Sequence, residues 1–403
     1  MQNTKHPGIV GFAKDWDDVP TCVTHILRKM AVSMPVLWIN SIGTRKPSFS
    51  RSDIKRILRL IFHLVKRAQR VENNLRVLSL PLVPSAHSVL MRSLNRKLAS
   101  FFIRRELQDM TAERIEYWCF VPNAVDLLPE GNAKECYEES MVIYYCVDDW
   151  STFENIDTEL MTECERRLLV RADLVFAVSR FLEDKCRKIA EEIGRKDKLK
   201  ICYMPHGVDY EIFSAGVNKE GPIPSDIAEL SHPVVGFYGN IASWIDFELL
   251  EKLVCARPYW SFVFIGPVLC TPGKLQSYSN VWFLGRRSYE QLPQYCRAFD
   301  VAIIPYALSN PRMKSVNPVK TFELLSAGVP VVASDLPELR TIGEDVITCK
   351  TFDEWLNALE VQLKRSDRAA ISARAKIFDW NEKVRYMRQM VELSYSEKQA
   401  REN

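Results

Sequence analysis

Residues 315–339 read SVNPVKTFELLSAGVPVVASDLPEL, and this stretch contains a short helical pattern followed by an apolar strand. The turn AGVP at 327–330 separates the two elements, because Gly and Pro interrupt a helix. Lys320 and Glu323 precede the turn and lie three residues apart, so they occupy one helical face. The stretch therefore predicts a helix-to-strand unit of a wound α/β sheet, with a cation and a carboxylate at the edge of the sheet.

The same alternation continues on both sides of this unit. Short β-rich runs such as GIVGFA and MVIYYCV precede residue 205, and a second series that includes VVGFYGN and VAIIPY follows residue 232. Strands that alternate with helices imply parallel sheets with helices on both faces. The chain length also favours two domains, at about 100–200 residues per domain. We therefore predict an α/β protein of two Rossmann-like, doubly wound domains with a cleft between them.

Composition places the domain boundaries. Residues 209–232 are rich in Gly and Pro, which is typical of a linker. The first domain is then predicted over residues 1–208 and the second over residues 233–379. Residues 380–403 form a polar, helix-like run that we expect to cross back toward the first domain.

The eleven cysteines stand at irregular spacings, without a C-x-x-C pair. This pattern does not predict a zinc site and favours free thiols in a reducing compartment. The sequence also shows no export signal and no run approaching about twenty apolar residues, the length of a membrane span. We therefore expect a cytoplasmic protein without a bound metal.

Positive charge is concentrated between residues 41 and 105. Fifteen basic residues in this window are opposed by only Asp53 and Glu72. The whole chain has 54 basic and 51 acidic residues, so the remainder is net acidic. Such asymmetry predicts a surface that meets anions.

Two stretches in and beside this window combine basic residues with helical apolar spacing, one over residues 50–70 and one over residues 88–106. In the second stretch the predicted apolar face consists of Leu90, Leu94, Leu98, Phe101 and Phe102. The basic residues singled out as an anion-binding or membrane surface are Arg56, Arg59, Lys66, Arg67, Arg96 and Lys97.

Two interpretations of these helices remain open, and both can hold. The helices can pack on the first sheet and carry solvated charges outside, or their basic flanks can bind an anionic bilayer. Nucleic acid is not the expected partner, because aromatic residues are not interleaved with the basic ones as a stacking platform requires.

Candidate ligand-binding residues follow the strands of the second domain. Open α/β sheets bind ligands outside the carboxyl ends of their strands. A helix start there suits phosphate, Lys320 can add a point charge on a diphosphate, and Glu323 can accept two hydrogen bonds from a ribose diol. The alternative is an ordinary Lys/Glu pair on a helix surface. The candidate nucleotide-binding residues are Gly239, Asn240, Gly266, Tyr306, Lys320 and Glu323.

A second candidate site lies in the first domain. Asp148 and Asp149 follow an apolar run, and a carboxylate at a strand end suits a general base whose pKa is raised by burial. The alternative is a helix N-cap by Asp149 or Ser151. His25 and Asp15 are expected near the same face, although a lone helical histidine is more often packed than catalytic.

These residues stand in motifs that resemble the GT-B glycosyltransferases. The stretches YMPHGVDYEIF, GFYGNIASWIDFELL and NPVKTFELLSAGVPVVASDLPEL are similar to the donor domain of that superfamily over nearly its whole length. Within it the chain resembles bacterial exopolysaccharide and teichuronic-acid type transferases and, more distantly, the xanthan glucuronosyltransferase. The resemblance implies that Asp148 is the base, Lys320 the diphosphate ligand and Glu323 the ribose ligand, and His25 matches a helix histidine of the pattern.

The sequence departs from the pattern at two points. Many retaining relatives carry two glutamates separated by seven residues, and the first of these falls on Ser315 here. The Arg and Lys of the first donor loop are also missing, which shifts phosphate neutralisation to Lys320 with Arg312 or Lys314. Inversion with Asp148 as base is favoured, and the stereochemistry stays open.

The resemblance implies a cytoplasmic glycosyltransferase that lies on the inner face of the cell membrane and needs neither metal nor cofactor. It would move a sugar from a nucleotide donor, most often UDP-linked, to a lipid-linked or polysaccharide acceptor in cell-surface glycan synthesis. The first domain would bind the acceptor and the anionic membrane, through Asp15 and the basic residues named above, and the second would bind the nucleotide sugar. The alternatives are a retaining transferase on a soluble acceptor, an epimerase or hydrolase of the same fold, or a nucleotide-sugar-binding partner subunit.

Overall fold

A computed structural model describes most of the chain and divides it into two compact units. The first unit comprises Met1–Pro205 and Val384–Asn403, and the second comprises His206–Lys383. The described residues are 6–41, 67–83, 88–110, 112–129, 140–153, 156–218 and 221–402.

The described part of the first unit contains an eight-stranded sheet. Its strands are β1 (Gly8–Phe12), β2 (Val36–Ile39), β3 (Gln69–Glu72), β4 (Leu75–Leu78), β5 (Ile115–Cys119), β6 (Met141–Cys146), β7 (Leu174–Ala177) and β8 (Lys200–Tyr203). They follow the order β3-β4-β2-β1-β5-β6-β7-β8, and every adjacent pair is parallel except the edge hairpin β3-β4. The order reverses between β1 and β5, so the carboxyl ends of these strands flank a crevice.

Helices cover this sheet. They are α1 (Cys22–Ala31), α2 (Val89–Leu107), α3 (Thr158–Arg171) and α4 (Arg180–Glu192), with short 3₁₀ turns at Pro122–Asp126 and Trp150–Thr152. Strand β6 is buried along its whole length, as expected for a parallel sheet covered on both faces.

Helix α2 does not bury the apolar face predicted from its spacing. Leu90, Leu94 and Phe101 are exposed, whereas Asn95 and Glu106 are buried. The reason is tertiary: the Asn95 side chain accepts a hydrogen bond from Val83 N (2.7 Å) and donates one to Val83 O (2.9 Å). The prediction of an inward face through Leu90, Leu94 and Phe101 was therefore wrong, while Phe102 is buried as predicted.

The second unit contains a six-stranded, fully parallel sheet. Its strands are β9 (Val234–Tyr238), β10 (Ser261–Ile265), β11 (Val281–Gly285), β12 (Val301–Ile304), β13 (Val331–Ser334) and β14 (Val346–Cys349). The order β11-β10-β9-β12-β13-β14 reverses between β9 and β12. This reversal is the position at which doubly wound sheets bind ligands.

The helices of this unit include two in the stretch predicted to be a linker. They are α5 (Tyr210–Ser214), α6 (Ser225–Ala228), α7 (Phe247–Ala256), α8 (Leu292–Ala298), α9 (Val319–Ser326), α10 (Phe352–Leu363) and α11 (Arg368–Ala375). Phe213 of α5 and Ile227 of α6 are buried in the core of the second unit. The described residues of the stretch 209–232 thus belong to that unit rather than to a free connection.

The last helix, α12 (Trp380–Glu402), begins within the second unit and belongs to the first from Val384 onward. In the first unit, Arg388 of α12 donates to the buried Glu116 of β5, with 3.0 Å between Nη2 and Oε1. The part of α12 from Val384 onward is therefore fixed to the first sheet by a buried charge.

Candidate functional site

Two glycines shape the carboxyl edge of the second sheet. Gly239 follows β9 with φ +129°, and Gly266 follows β10 with φ +143°, a region that favours glycine. A Cβ at Gly266 would overlap the carbonyl oxygen of Gly239, and a Cβ at Gly239 would overlap the ammonium of Lys320. Both positions therefore need glycine if the lysine is to lie against the end of β9.

Lys320 lies in the first turn of α9, which begins at Val319. Its Nζ is 4.2 Å from the ring centroid of Phe237 and 5.5 Å from that of Tyr306, distances that suit cation–π attraction. Among the described residues no carboxylate forms an ion pair with Lys320. A positive charge is thus held beside a helix N-terminus at the point where the strand order reverses, which favours an anionic ligand.

Glu323 lies one turn further along α9 and is buried. Its Oε2 accepts a hydrogen bond from the Tyr238 hydroxyl at 2.9 Å. Burial, together with the Glu323 charge, raises the pKa of both Tyr238 and Tyr289. The carboxylate predicted to hold a ribose thus already has a tyrosine donor, and a diol would use its remaining lone pairs.

The other predicted nucleotide-binding residues lie around the same edge. Tyr306 is buried two residues after β12, and Asn240 is exposed directly after Gly239. Arg312 lies 5.8 Å from the ring centroid of Trp244, whose carbonyl accepts a hydrogen bond from Ala307 N. The structure therefore brings the predicted residues together at one end of the sheet.

In the first unit, Asp149 caps the 3₁₀ turn Trp150–Thr152. Its Oδ1 accepts from Ser151 Oγ (2.7 Å), Ser151 N (3.3 Å) and Lys185 Nζ (2.8 Å). Burial alone would raise the pKa of Asp149, but the hydrogen bonds from Lys185 and Ser151 outweigh it and lower that pKa. Asp149 therefore takes the capping role, and its lowered pKa makes it a weak base.

Asp148 is half-buried between β6 and that turn. The pKa of the Cys22 thiol is raised to about 12, mainly by burial and to a smaller extent by the charge of Asp148. This coupling places Asp148 near the first turn of α1, and half-buried His25 follows Cys22 by one turn. Asp15 lies on the exposed turn after β1, where its Oδ1 accepts from Ser41 N (3.0 Å).

The predicted basic residues are only partly described. Arg56, Arg59 and Lys66 lie outside the described residues. Arg67 is exposed and forms an ion pair with Asp109 (2.9 Å). Arg96 and Lys97 line a groove of about 600 Å³ along α2, together with Ser93, Ser100, Phe101 and Arg104.

Two kinds of feature are absent from the described ranges. No helix there combines the length and apolar character that crossing a bilayer requires. In the same ranges, no three His, Cys, Asp or Glu side chains are grouped as metal ligands would be.

Parts of the chain are similar in sequence to known proteins. Residues 232–364 match the family described as Glycosyl transferases group 1. TuaH of Bacillus subtilis (strain 168), named for teichuronic acid biosynthesis as a glycosyltransferase, is 33% identical over 214 residues. That match covers 50% of this chain and 52% of TuaH, so the chain spans about half the length of this curated relative.

Solved structures match almost the whole chain. The Anabaena protein HepE, in complex with UDP and glucose, is 17% identical with a TM-score of 0.60 over 96% of this chain and 100% of that one. Sucrose-phosphate synthase from Thermosynechococcus elongatus is 14% identical with a TM-score of 0.63 over 97% of this chain and 100% of that one. The chain has the GT-B fold. The predicted resemblance to GT-B proteins and the predicted fold class are both confirmed.

Sequence reasoning missed several residues of the two candidate sites. Phe237 and Tyr238 contact Lys320 and Glu323, and the aromatic pair before the glycine in GFYGN was the available signal. Lys185 reaches Asp149 from a helix 36 residues away, and no local pattern points to it.

Proposed function

We propose that this chain is a glycosyltransferase that moves a sugar from a UDP-linked donor to an acceptor in cell-surface glycan synthesis. The observation that carries the proposal is the Lys320 ammonium, which lies against Gly239 at the strand-order reversal of the second sheet. The group 1 match over this unit, the partial similarity to TuaH and the UDP bound to HepE support the same ligand class.

The chemistry assigns a role to each unit. An acceptor hydroxyl attacks the anomeric carbon, its proton passes to the Asp148 carboxylate, and the bond from that carbon to the diphosphate oxygen breaks. Lys320 and the N–H groups at the start of α9 stabilise the charge that develops on the leaving diphosphate. In this proposal the neutralising charge comes from the chain, and direct attack inverts the anomeric centre.

Calorimetric titration with nucleotide sugars tests the donor site. A hydrogen bond to a charged group contributes about 1.5–3 kcal/mol, so Lys320→Met should weaken donor affinity by about 10–100-fold. Exposed Lys364 lies in the same unit, and Lys364→Met is the matched control that should bind normally. Equal affinities for the two variants would remove Lys320 from the site.

Product analysis separates the alternative activities. Asp148→Asn should retain donor affinity and lose sugar transfer, and NMR of the product should show an inverted anomeric centre. A retained centre would favour the retaining mechanism. Release of a free or epimerised sugar without any acceptor would point to the hydrolase or epimerase alternative. Donor binding without any turnover would point to a nucleotide-sugar-binding partner subunit.

We also propose that α2 faces an anionic membrane that presents a lipid-linked acceptor, on the inner face of the cell membrane. Leu90 and Phe101 are 77% and 63% exposed. Leu94, Lys97 and Arg104 lie between or beside them at helical spacing, so apolar and basic side chains share one outward face. Burial of its apolar groups in the bilayer favours membrane binding of such a face, and each basic residue adds about 1 kcal/mol of binding free energy at an anionic surface.

Vesicle flotation tests this surface. The protein should bind vesicles of phosphatidylcholine with phosphatidylglycerol more tightly than phosphatidylcholine alone, and salt should weaken the binding. The double change Leu90→Gln with Phe101→Gln should lower the partition coefficient at least about tenfold, since full burial of each side chain is worth about 1.5–3 kcal/mol. Tyr259, 87% exposed in the second unit, supplies the control Tyr259→Gln. Binding that ignores lipid charge and these changes would favour a soluble acceptor.

A further inference from the structure

A buried ion-pair network lies directly behind Asp148. The Lys185 ammonium of α4 is 2.8 Å from Asp149 Oδ1 and 2.7 Å from Glu165 Oε2, and the lysine side chain is only 20% exposed. Glu165, from α3, is fully buried, and its Oε1 accepts a hydrogen bond from Tyr144 of β6 at 2.7 Å. One ammonium thus joins the loop after β6 to two helices and, through Glu165, to β6 itself.

The charges of this network are fixed by their surroundings. Burial alone would lower the pKa of Lys185, but Glu165 and Asp149 outweigh it and raise that pKa, so the lysine stays protonated. The nearby Cys146 thiol stays neutral, because its hydrogen bond with Cys186 and its burial raise its pKa. The cluster is therefore one cation shared by two carboxylates, and loss of the cation would leave both uncompensated.

Backbone contacts hold both ends of a two-residue span that contains Asp148, and the ion-pair network adds to the hold at the Asp149 end. On one side, Cys146 O accepts a hydrogen bond from Val178 N at 3.1 Å. On the other, Asp149 O accepts from Thr152 N (3.1 Å) and Thr152 Oγ1 (2.7 Å), while its carboxylate is held by Lys185. Only Val147 and Asp148 lie between these points, so the direction of the Asp148 side chain depends on where Asp149 is held.

We propose that Lys185 is a positioning residue that aims the Asp148 carboxylate at the acceptor hydroxyl by holding Asp149. The inference rests on the proposed function, in which Asp148 is the base. A turn capped by Asp149 needs only Ser151; the additional contacts to Lys185 and, through it, to Glu165 tie the turn to the body of the unit. Lys185 acts on proton transfer and leaves the donor site of the second unit unchanged.

Steady-state kinetics with a nucleotide-sugar donor and an acceptor test the role of Lys185. Lys185→Met should lower kcat at least about tenfold with an unchanged KM for the donor, because the Lys320 site belongs to the other unit. Lys185→Arg keeps the charge and should recover part of kcat. Lys188→Met changes an exposed lysine of the same helix and should behave as the unchanged protein.

A double-mutant cycle with Asp148→Asn separates positioning from a general loss of structure. If Lys185 acts through Asp148, adding Lys185→Met to Asp148→Asn should leave the residual rate, measured by mass spectrometry over long incubations, unchanged. A further tenfold loss in the double variant, or a raised donor KM in Lys185→Met alone, would overturn the proposal. If Lys185→Met does not fold, Glu165→Gln, which removes the charge that ties Lys185 to α3, replaces it under the same criteria.

The two proposals fail in different ways. Full activity of Asp148→Asn would show that Asp148 is not the base and would refute the proposed mechanism, whatever the activity of the Lys185 variants. An inactive Asp148→Asn beside a fully active, folded Lys185→Met would leave the mechanism intact and exclude Lys185 from it.

Discussion

Replacement of Arg388 by Met would test how much a buried charge cluster stabilises the first unit. Glu116 is fully buried on β5 and accepts from four donors: Arg388 Nη1 and Nη2, Arg114 Nη2 and Trp118 Nε1. Arg388 also pairs with Glu392 at 2.7 Å, and Arg114 pairs with Glu392 and, at 3.8 Å, with the more exposed Glu113, so the two arginines serve three carboxylates. Arg388→Met removes one of the two cations and two of the four donors of a buried carboxylate.

The expected loss of stability follows from the number of partners that Glu116 loses. Removal of one partner of a buried ion pair costs about 3–5 kcal/mol, and Arg114 with Trp118 still engages Glu116, so we expect a loss of about 3 kcal/mol. For a unit of roughly 200 residues this corresponds to a fall in Tm of about 6–12 °C. Glu116→Gln added to Arg388→Met should recover much of the loss, because no buried charge then lacks its partner.

Thermal and urea unfolding, with hydrogen exchange at β5 to identify the unit that opens, measure the effect. Arg385→Met changes an exposed arginine one turn earlier and should cost well under 1 kcal/mol, as exposed pairs do. Equal stability of Arg388→Met and Arg385→Met, or a double variant less stable than Arg388→Met alone, would refute the reasoning.

Two further predictions concern the second unit. Gly239→Ala should weaken nucleotide-sugar binding at least about tenfold, because the new Cβ would displace the Lys320 ammonium. Gly343 is the matched control, since it has a similar positive φ of +107° and its Cβ would meet no neighbour within 4 Å. Gly343→Ala should therefore lower the stability of the protein without lowering its affinity for the nucleotide sugar. Buried His206 has a pKa lowered to about 4 by burial and by Lys383. The unfolded chain therefore binds more protons between pH 6.5 and 4, so stability should be complete above pH 6.5 and fall by up to about 3 kcal/mol toward pH 4. Urea titrations between pH 6.5 and 4 should show that the free energy of unfolding falls with pH. The His206→Gln variant should show a weaker dependence on pH.

Much of the second unit can be read from the sequence, because its signals are local. The glycine after β9 and the spacing of Lys320 and Glu323 are sequence neighbours, and parallel topology then places them at one edge of the sheet. The contacts that give these residues their environment, such as Tyr238 on Glu323, join positions 85 residues apart and leave no local trace.

The failures have a common physical origin in long-range contacts. Apolar spacing along α2 selected Leu90 and Phe101 for burial, whereas the fold buries Asn95 and Glu106 because the Val83 backbone and Arg105 satisfy their polar atoms. Gly and Pro content marked residues 209–232 as a linker, although Phe213 anchors the stretch in a core. In both cases local composition was outweighed by partners distant in sequence.

The path of α12 has a practical consequence for dissecting the molecule. Since Val384–Asn403 belongs to the first unit, that unit is built from two stretches of the chain that the second unit separates in sequence. A fragment that stops at Pro205 would lack Arg388 and, of the cations that the described residues place on the Glu116 carboxylate, would keep only Arg114. Expression of this unit alone should therefore succeed only when the codons for residues 384–403 are fused back, for example through a short flexible tether.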